Sequence, residues 1–148
     1  MIYTSYFANL KYLEGRYPGM VFINISGKAP DWYLRDYRLE YRKLAPKYIW
    51  WSEWHEKFKD NLESAESQKW YIQKYQETVL DNLDAHSVKC DLYEMANAKR
   101  ICILCHETPE KFCHRHLIAD WFRKAGIQCA EICKEGNEEK KVYRLIDE

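Results

Sequence analysis

Between Cys105 and His116 the chain crowds together groups able to do chemistry: Cys105, His106, Glu107, Cys113, His114, Arg115 and His116. Thiols and imidazoles offer nucleophiles, proton carriers and metal ligands, Glu107 offers a base, and the Arg115 guanidinium is a planar fork for phosphate or carboxylate. A helix starting near Cys113 would add partial positive charge and unpaired N–H groups at its amino end. That setting disfavours an imidazolium, so His114 is expected to be neutral and able to donate or accept a proton. The dipole and Arg115 would favour a Cys113 thiolate. Helical spacing turns His114 toward the buried side with Leu117 and Ile118, and turns Arg115 and His116 toward the rim. Glu107 could orient His114, hold Arg115 or act as a base. Glu107, His114 and Arg115 therefore read as an anion-binding crevice with an acid/base pair.

Three elements must position these groups. Ile101 to Cys105 is a short apolar run, expected to be a strand buried on both faces. A polar turn follows, and Pro109 suits the first turn of a helix. Leu117, Ile118, Trp121, Phe122 and Ala125 recur at helical spacing, with Gly126 placed to end the helix. Reactive side chains at the carboxyl end of a buried strand mark where α/β proteins hold their ligands. Two earlier strands, Ile2 to Phe7 and Met20 to Ser26, would end on the same side of a parallel sheet. Ser5 and Asn9 then supply neutral hydrogen-bonding groups, Tyr6 an aromatic wall with Phe7, Trp32 or Tyr33, and Lys28 a positive charge. Aromatic walls, amides and a cation suit a base, a ribose and a phosphate. Each ring is equally at home in the core, and a loop lysine equally at home in solvent.

The remaining pattern is helical between strands. Ala8 to Gly15 reads as a loop or short helix. Asp31 is placed to cap a helix whose face carries Tyr33, Tyr37, Tyr41 and Leu44 up to Pro46. Trp51, Trp54, Phe58 and Leu62 follow, then a helix from about Ser67 to Leu83. Val88 to Met95 reads either as a strand or as a connection with one helical turn. Gln128 to Cys133 and Val142 to Ile146 are expected strands, separated by a turn at Gly136 and Asn137. This alternation predicts one α/β domain over 1–148, with a mainly parallel sheet covered by helices on both faces.

Lys plus Arg and Asp plus Glu are both 23, so no overall basic field is available for a nucleic-acid backbone. No apolar run approaches a membrane span and the first residues lack a signal-peptide layout. With six cysteines lying mostly in strands, this fits reduced thiols in a cytoplasmic protein. Zinc is disfavoured by spacing, because adjacent Cys113 and His114 do not easily reach one tetrahedral ion. Cys102 and Cys105 fall on opposite faces of a strand, which argues against a redox dithiol. Cys105 and Cys113 lack the Arg six positions on that phosphatase-like loops need, and Gly27–Lys28 lacks the earlier glycine of a P-loop. No metal or other cofactor is expected.

Leu104, Cys105, Glu107, Pro109, Cys113, His114 and Arg115, with the helix to Trp121, resemble the YeaO-like family, domain of unknown function 488. The stretches IYTSYFANL, INISGKAPDWY and LAPKY are also similar to it. The resemblance implies a small Rossmann-like domain with a pocket, and it carries no settled activity. Together the readings lead to a protein that binds a nucleotide-derived or other phosphorylated small ligand at the strand ends. It would act by hydrolysing a glycosidic or phosphoester bond, with Glu107 or His114 moving the proton and Ser5, Tyr6, Asn9, Lys28, Cys105, Cys113 and Arg115 lining the site. A non-catalytic sequestering or sensing protein is the alternative, and a nucleic-acid-processing partner a less favoured one. Oligomeric state is left open.

Overall fold

The computed structural model describes residues 1–97 and 100–133. Four strands form an all-parallel sheet: β1 (Ile2–Tyr6), β2 (Val21–Asn24), β3 (Ile101–Cys105) and β4 (Cys129–Glu131), in the order β2-β3-β1-β4. All five residues of β3 are buried, as a strand covered on both faces must be. Ile2 pairs with Ile101 and Tyr6 with Cys105, so the carboxyl ends of β1 and β3 lie level. The expected α/β, parallel, Rossmann-like architecture is what the chain adopts.

Alternation along the strands sends side chains to two separate cores. Ile2, Ile23, Ile101 and Ile103 pack with Trp50, Tyr71, Tyr75, Leu92 and Phe122. Those partners come from α3 (Tyr48–Lys57), α4 (Ala65–Thr78), α5 (Ala85–Ala96) and α6 (His114–Lys124). On the other face, Phe22, Cys102 and Leu104 meet Leu10 and Leu13 of α1 (Leu10–Arg16) and Tyr33 of α2 (Asp31–Asp36). Cys102 and Cys105 do sit on opposite faces.

Several expectations change in detail. The segment from Asp31 to Pro46 is not one helix. Pro30 occupies the N-cap position, α2 stops at Asp36, and Arg38 turns the chain with φ of 72°. Residues 39–41 then run beside β2, where Asn24 N–H donates to Leu39 O and Tyr41 N–H donates to Asn24 O, both at 2.9 Å. β2 is the outer strand, and its free backbone groups would be orphaned without this segment. Pairing with the sheet edge thus overrides helical periodicity. Val88 to Met95 lies within α5, a full helix: Asp84 caps it by accepting from Ser87 N–H at 2.9 Å, and Asn97 ends it in the left-handed region. Pro109 lies in a turn ahead of α6 rather than in its first turn, whereas Gly126, φ 80°, takes the left-handed position past its end. The expected strand Val142 to Ile146 and the turn before it lie outside the described residues.

The central strand tolerates the least change. Ile103 is completely buried between helices, and Ile103→Ala should lower unfolding stability by about 3 kcal/mol in denaturant titrations.

Candidate functional site

The carboxyl ends of β1 and β3 meet the start of α6. Cys113 is the N-cap residue, with extended backbone at φ −157° and ψ 146°, and its side chain makes no capping hydrogen bond. His114 begins the helical turn. The switch from extended to helical backbone at this point brings both side chains toward Cys105 at the end of β3. The sulfurs of Cys105 and Cys113 and a ring nitrogen of His114 all lie within 4.8 Å of one another, and all three residues are buried. Adjacency does not keep Cys113 and His114 apart, contrary to expectation.

His114 is held at both ring nitrogens. Nε2 lies 2.8 Å from Ile25 O, a carbonyl that can only accept, so Nε2 carries the proton. Nδ1 is left with its lone pair facing Cys105 Sγ at 3.6 Å. A free acid/base role for this ring is therefore not what the fold provides. Tyr75 from α4 covers the ring at 5.4 Å between centroids.

Arg115 does not lean toward the rim. It is fully buried, and its fork is filled by Glu131 of β4: Nε donates to Oε1 at 3.0 Å and Nη2 to Oε2 at 2.8 Å. Thr4 Oγ1 of β1 donates to the same carboxylate, and the Tyr6 ring lies 5.9 Å from the guanidinium carbon. Among the described residues, the buried Nη1 has no hydrogen-bond partner. His116 is buried as well, its Nε2 3.1 Å from Lys111 O.

Electrostatics separates the two thiols. Burial pushes the Cys105 thiol well up, reinforced by its hydrogen bond with Cys113. Burial would raise Cys113 also, but the hydrogen bond from Cys105 and the Arg115 charge hold it well below the ordinary thiol value. The shared hydrogen bond thus favours the proton on Cys105 and negative charge on Cys113. Burial opposes the Arg115 charge, yet the Cys113 thiolate and Glu131 outweigh it and bind the proton more tightly. For His116 burial wins and lowers the value.

The other expected site residues divide into two groups. Ser5 donates to Ile132 O at 2.8 Å, and Asn9 Nδ2 donates to Ser5 Oγ at 3.1 Å. Both clamp the chain leaving β4 rather than facing outward. Glu107 and Lys28 are exposed at the rim, and no hydrogen bond joins Glu107 to His114 or Arg115. His106 ties the rim together, its Nε2 2.6 Å from Lys28 O. The reactive cluster is closed over rather than open to a cleft at its own side chains. A cavity of about 470 Å³ lies elsewhere, beside α1 and β2, lined by Tyr17, Met20, Phe22 and Tyr37, without thiol or imidazole.

Glu131, Thr4 and Ile25 are the residues that sequence reasoning missed. Nothing local marks Glu131, because its partner is 16 positions away and the pairing exists only once β4 lies beside β1.

A family model described as the active DUF488-N3 subclade matches residues 25–126. The chain belongs to the DUF488 family. The matched region runs from the end of β2 to Gly126 and so contains Cys105, Cys113, His114 and Arg115. No curated protein and no solved structure matches the chain. Among the described residues, no helix is long and apolar enough to cross a membrane.

Two measurements check this geometry. Glu131→Gln leaves the Arg115 charge buried and poorly paired, and should cost about 3 kcal/mol in chemical denaturation. In chelator-treated, reduced protein, the rate of Cys113 alkylation, read by peptide mass spectrometry, should plateau at lower pH than that of a free small-molecule thiol. An unshifted profile would remove the charge assignment.

Proposed function

We propose that the protein binds and turns over a nucleotide-derived or other phosphorylated small molecule at the carboxyl ends of β1, β2 and β3, in a reducing, cytoplasmic setting. The observation that carries this reading is the amino end of α6, where the Cys113 side chain makes no capping hydrogen bond, set at the end of an all-parallel sheet. First-turn amides and the helix dipole favour an anionic group there. The rim supplies Lys28 as a second positive charge, and the exposed Trp32, which lies 6.4 Å from Phe7, as an apolar surface for a base or sugar.

Glu107 is the group best placed for proton transfer. It is exposed on the loop between β3 and α6 and has no hydrogen bond or ion pair among the described residues, so it can meet a ligand or its attacking water. His114 serves the site differently from a free acid, since Nε2–H is spent on Ile25 O. Arg115 acts as an internal counter-charge, not as a ligand fork. Hydrolysis of a glycosidic or phosphoester bond fits this set, with Glu107 taking a proton from water or giving one to the leaving oxygen. The buried thiols of Cys102, Cys105, Cys113 and Cys129 suit a reducing compartment.

The test is a panel of nucleoside mono- and diphosphates and sugar phosphates, followed by binding calorimetry and product mass spectrometry. Glu107→Gln should lower turnover by about 100-fold or more while leaving affinity nearly unchanged. If affinity alone changes and no product forms with either protein, the site is a binding site. If nothing in the panel binds, the ligand class is wrong.

A further inference from the structure

We propose that Cys105, Cys113 and His114 form a binding site for a soft divalent cation of the zinc type, with one coordination position left for a water or substrate oxygen. Zinc bonds of about 2.3 Å to sulfur and about 2.0 Å to nitrogen set the edges of a tetrahedron at about 3.5 Å for S–N and about 3.8 Å for S–S. Cys105 Sγ and His114 Nδ1 are already 3.6 Å apart, and the third atom lies within 4.8 Å of both. Closing on an ion requires only side-chain adjustment.

The second shell is in place. A metal-binding imidazole ordinarily donates its other N–H to a carbonyl or carboxylate, fixing the ring and the tautomer. Nε2 of His114 has this partner in Ile25 O at 2.8 Å, which leaves Nδ1 as a lone pair directed at the two sulfurs. Charge also balances. Two thiolates neutralise a divalent ion, and the nearby Arg115 is already neutralised by Glu131, so loading buries no net charge. On loading, the cation displaces any proton the two thiols carry, which passes to solvent.

Among the described residues the cluster stops at three ligands. Structural zinc sites are closed by four, whereas a three-ligand set keeps a position for chemistry. Because the cluster is buried, that position is within reach only of water or of a small oxygen group that enters at the start of α6. The site itself does not depend on what the ligand is.

The experiment uses the full chain, purified under reducing conditions without immobilised-metal chromatography or chelators. Elemental analysis should find about one zinc per chain, and reconstitution of stripped protein with cobalt(II) should give the intense visible bands of a tetrahedral thiolate complex. Cys105→Ser and His114→Ala should each weaken zinc binding by more than about 100-fold, whereas Cys90→Ser, at an exposed thiol, should not. Should those variants fail to fold, the unaltered protein still decides. Zinc must shield Cys105 and Cys113, but not Cys90, from alkylation mapped by mass spectrometry. A well-folded protein that retains no zinc, gives only octahedral cobalt spectra, or shows no shielding would overturn the proposal. Loss of metal binding with turnover of a phosphorylated compound intact would remove the metal and leave the proposed function standing.

Discussion

A buried ion pair holds the site in shape. Arg115 and Glu131 are almost completely withdrawn from water, and removing either partner would strand a charge where solvent cannot reach it. Thr4 on β1 also donates to the carboxylate, so the pair joins the first turn of α6 to both β1 and β4. The position of Cys113 and His114 follows from that clasp, since both precede Arg115 directly in the chain. The cost of desolvating the pair is offset by a two-pronged geometry that satisfies Nε and Nη2 and by the Tyr6 ring beside the guanidinium.

The same clasp sets the chemistry of the sulfurs. A thiolate in an apolar interior is costly, yet here the cation lies beside it and a neighbouring thiol can donate to it. Burial and the hydrogen bond to Cys113 push the Cys105 thiol the other way, toward its protonated form. His114 contributes a lone pair because a backbone carbonyl has claimed its proton. Tyr71 and Tyr75 close the cluster from α4, and their own burial keeps their hydroxyls protonated. The arrangement is buried and gathered around Nδ1 and two sulfurs, while the groups able to greet a ligand, Glu107 and Lys28, stand outside on the rim.

Sheet edges account for the largest departure from local pattern. Tyr33, Tyr37, Tyr41 and Leu44 repeat as a helix would, but β2 has a neighbour on one side only. Two backbone hydrogen bonds to residues 39–41 complete it, and Tyr33 OH donates to Leu39 O at 2.7 Å to hold the returning chain. Satisfying buried backbone groups outweighs the modest gain of two further helical turns.

What the sequence by itself determined was whatever depends on neighbours in the chain. Five apolar residues ending in Cys105, a polar turn, and the Leu117–Phe122 stripe closed by Gly126 announce strand, loop and helix, because periodicity and turn chemistry are local. The same stretch carried the family resemblance and the reactive groups of the site. Tertiary structure alone decided which of those groups are free. Arg115 looks like a ligand fork until β4 arrives with Glu131, His114 looks like a free acid until β2 delivers Ile25 O, and Ser5 and Asn9 look like a pocket wall until Ile132 claims them. Each of these partners is distant in the chain or on a separate element, and polar groups buried together must satisfy one another before they can serve anything else.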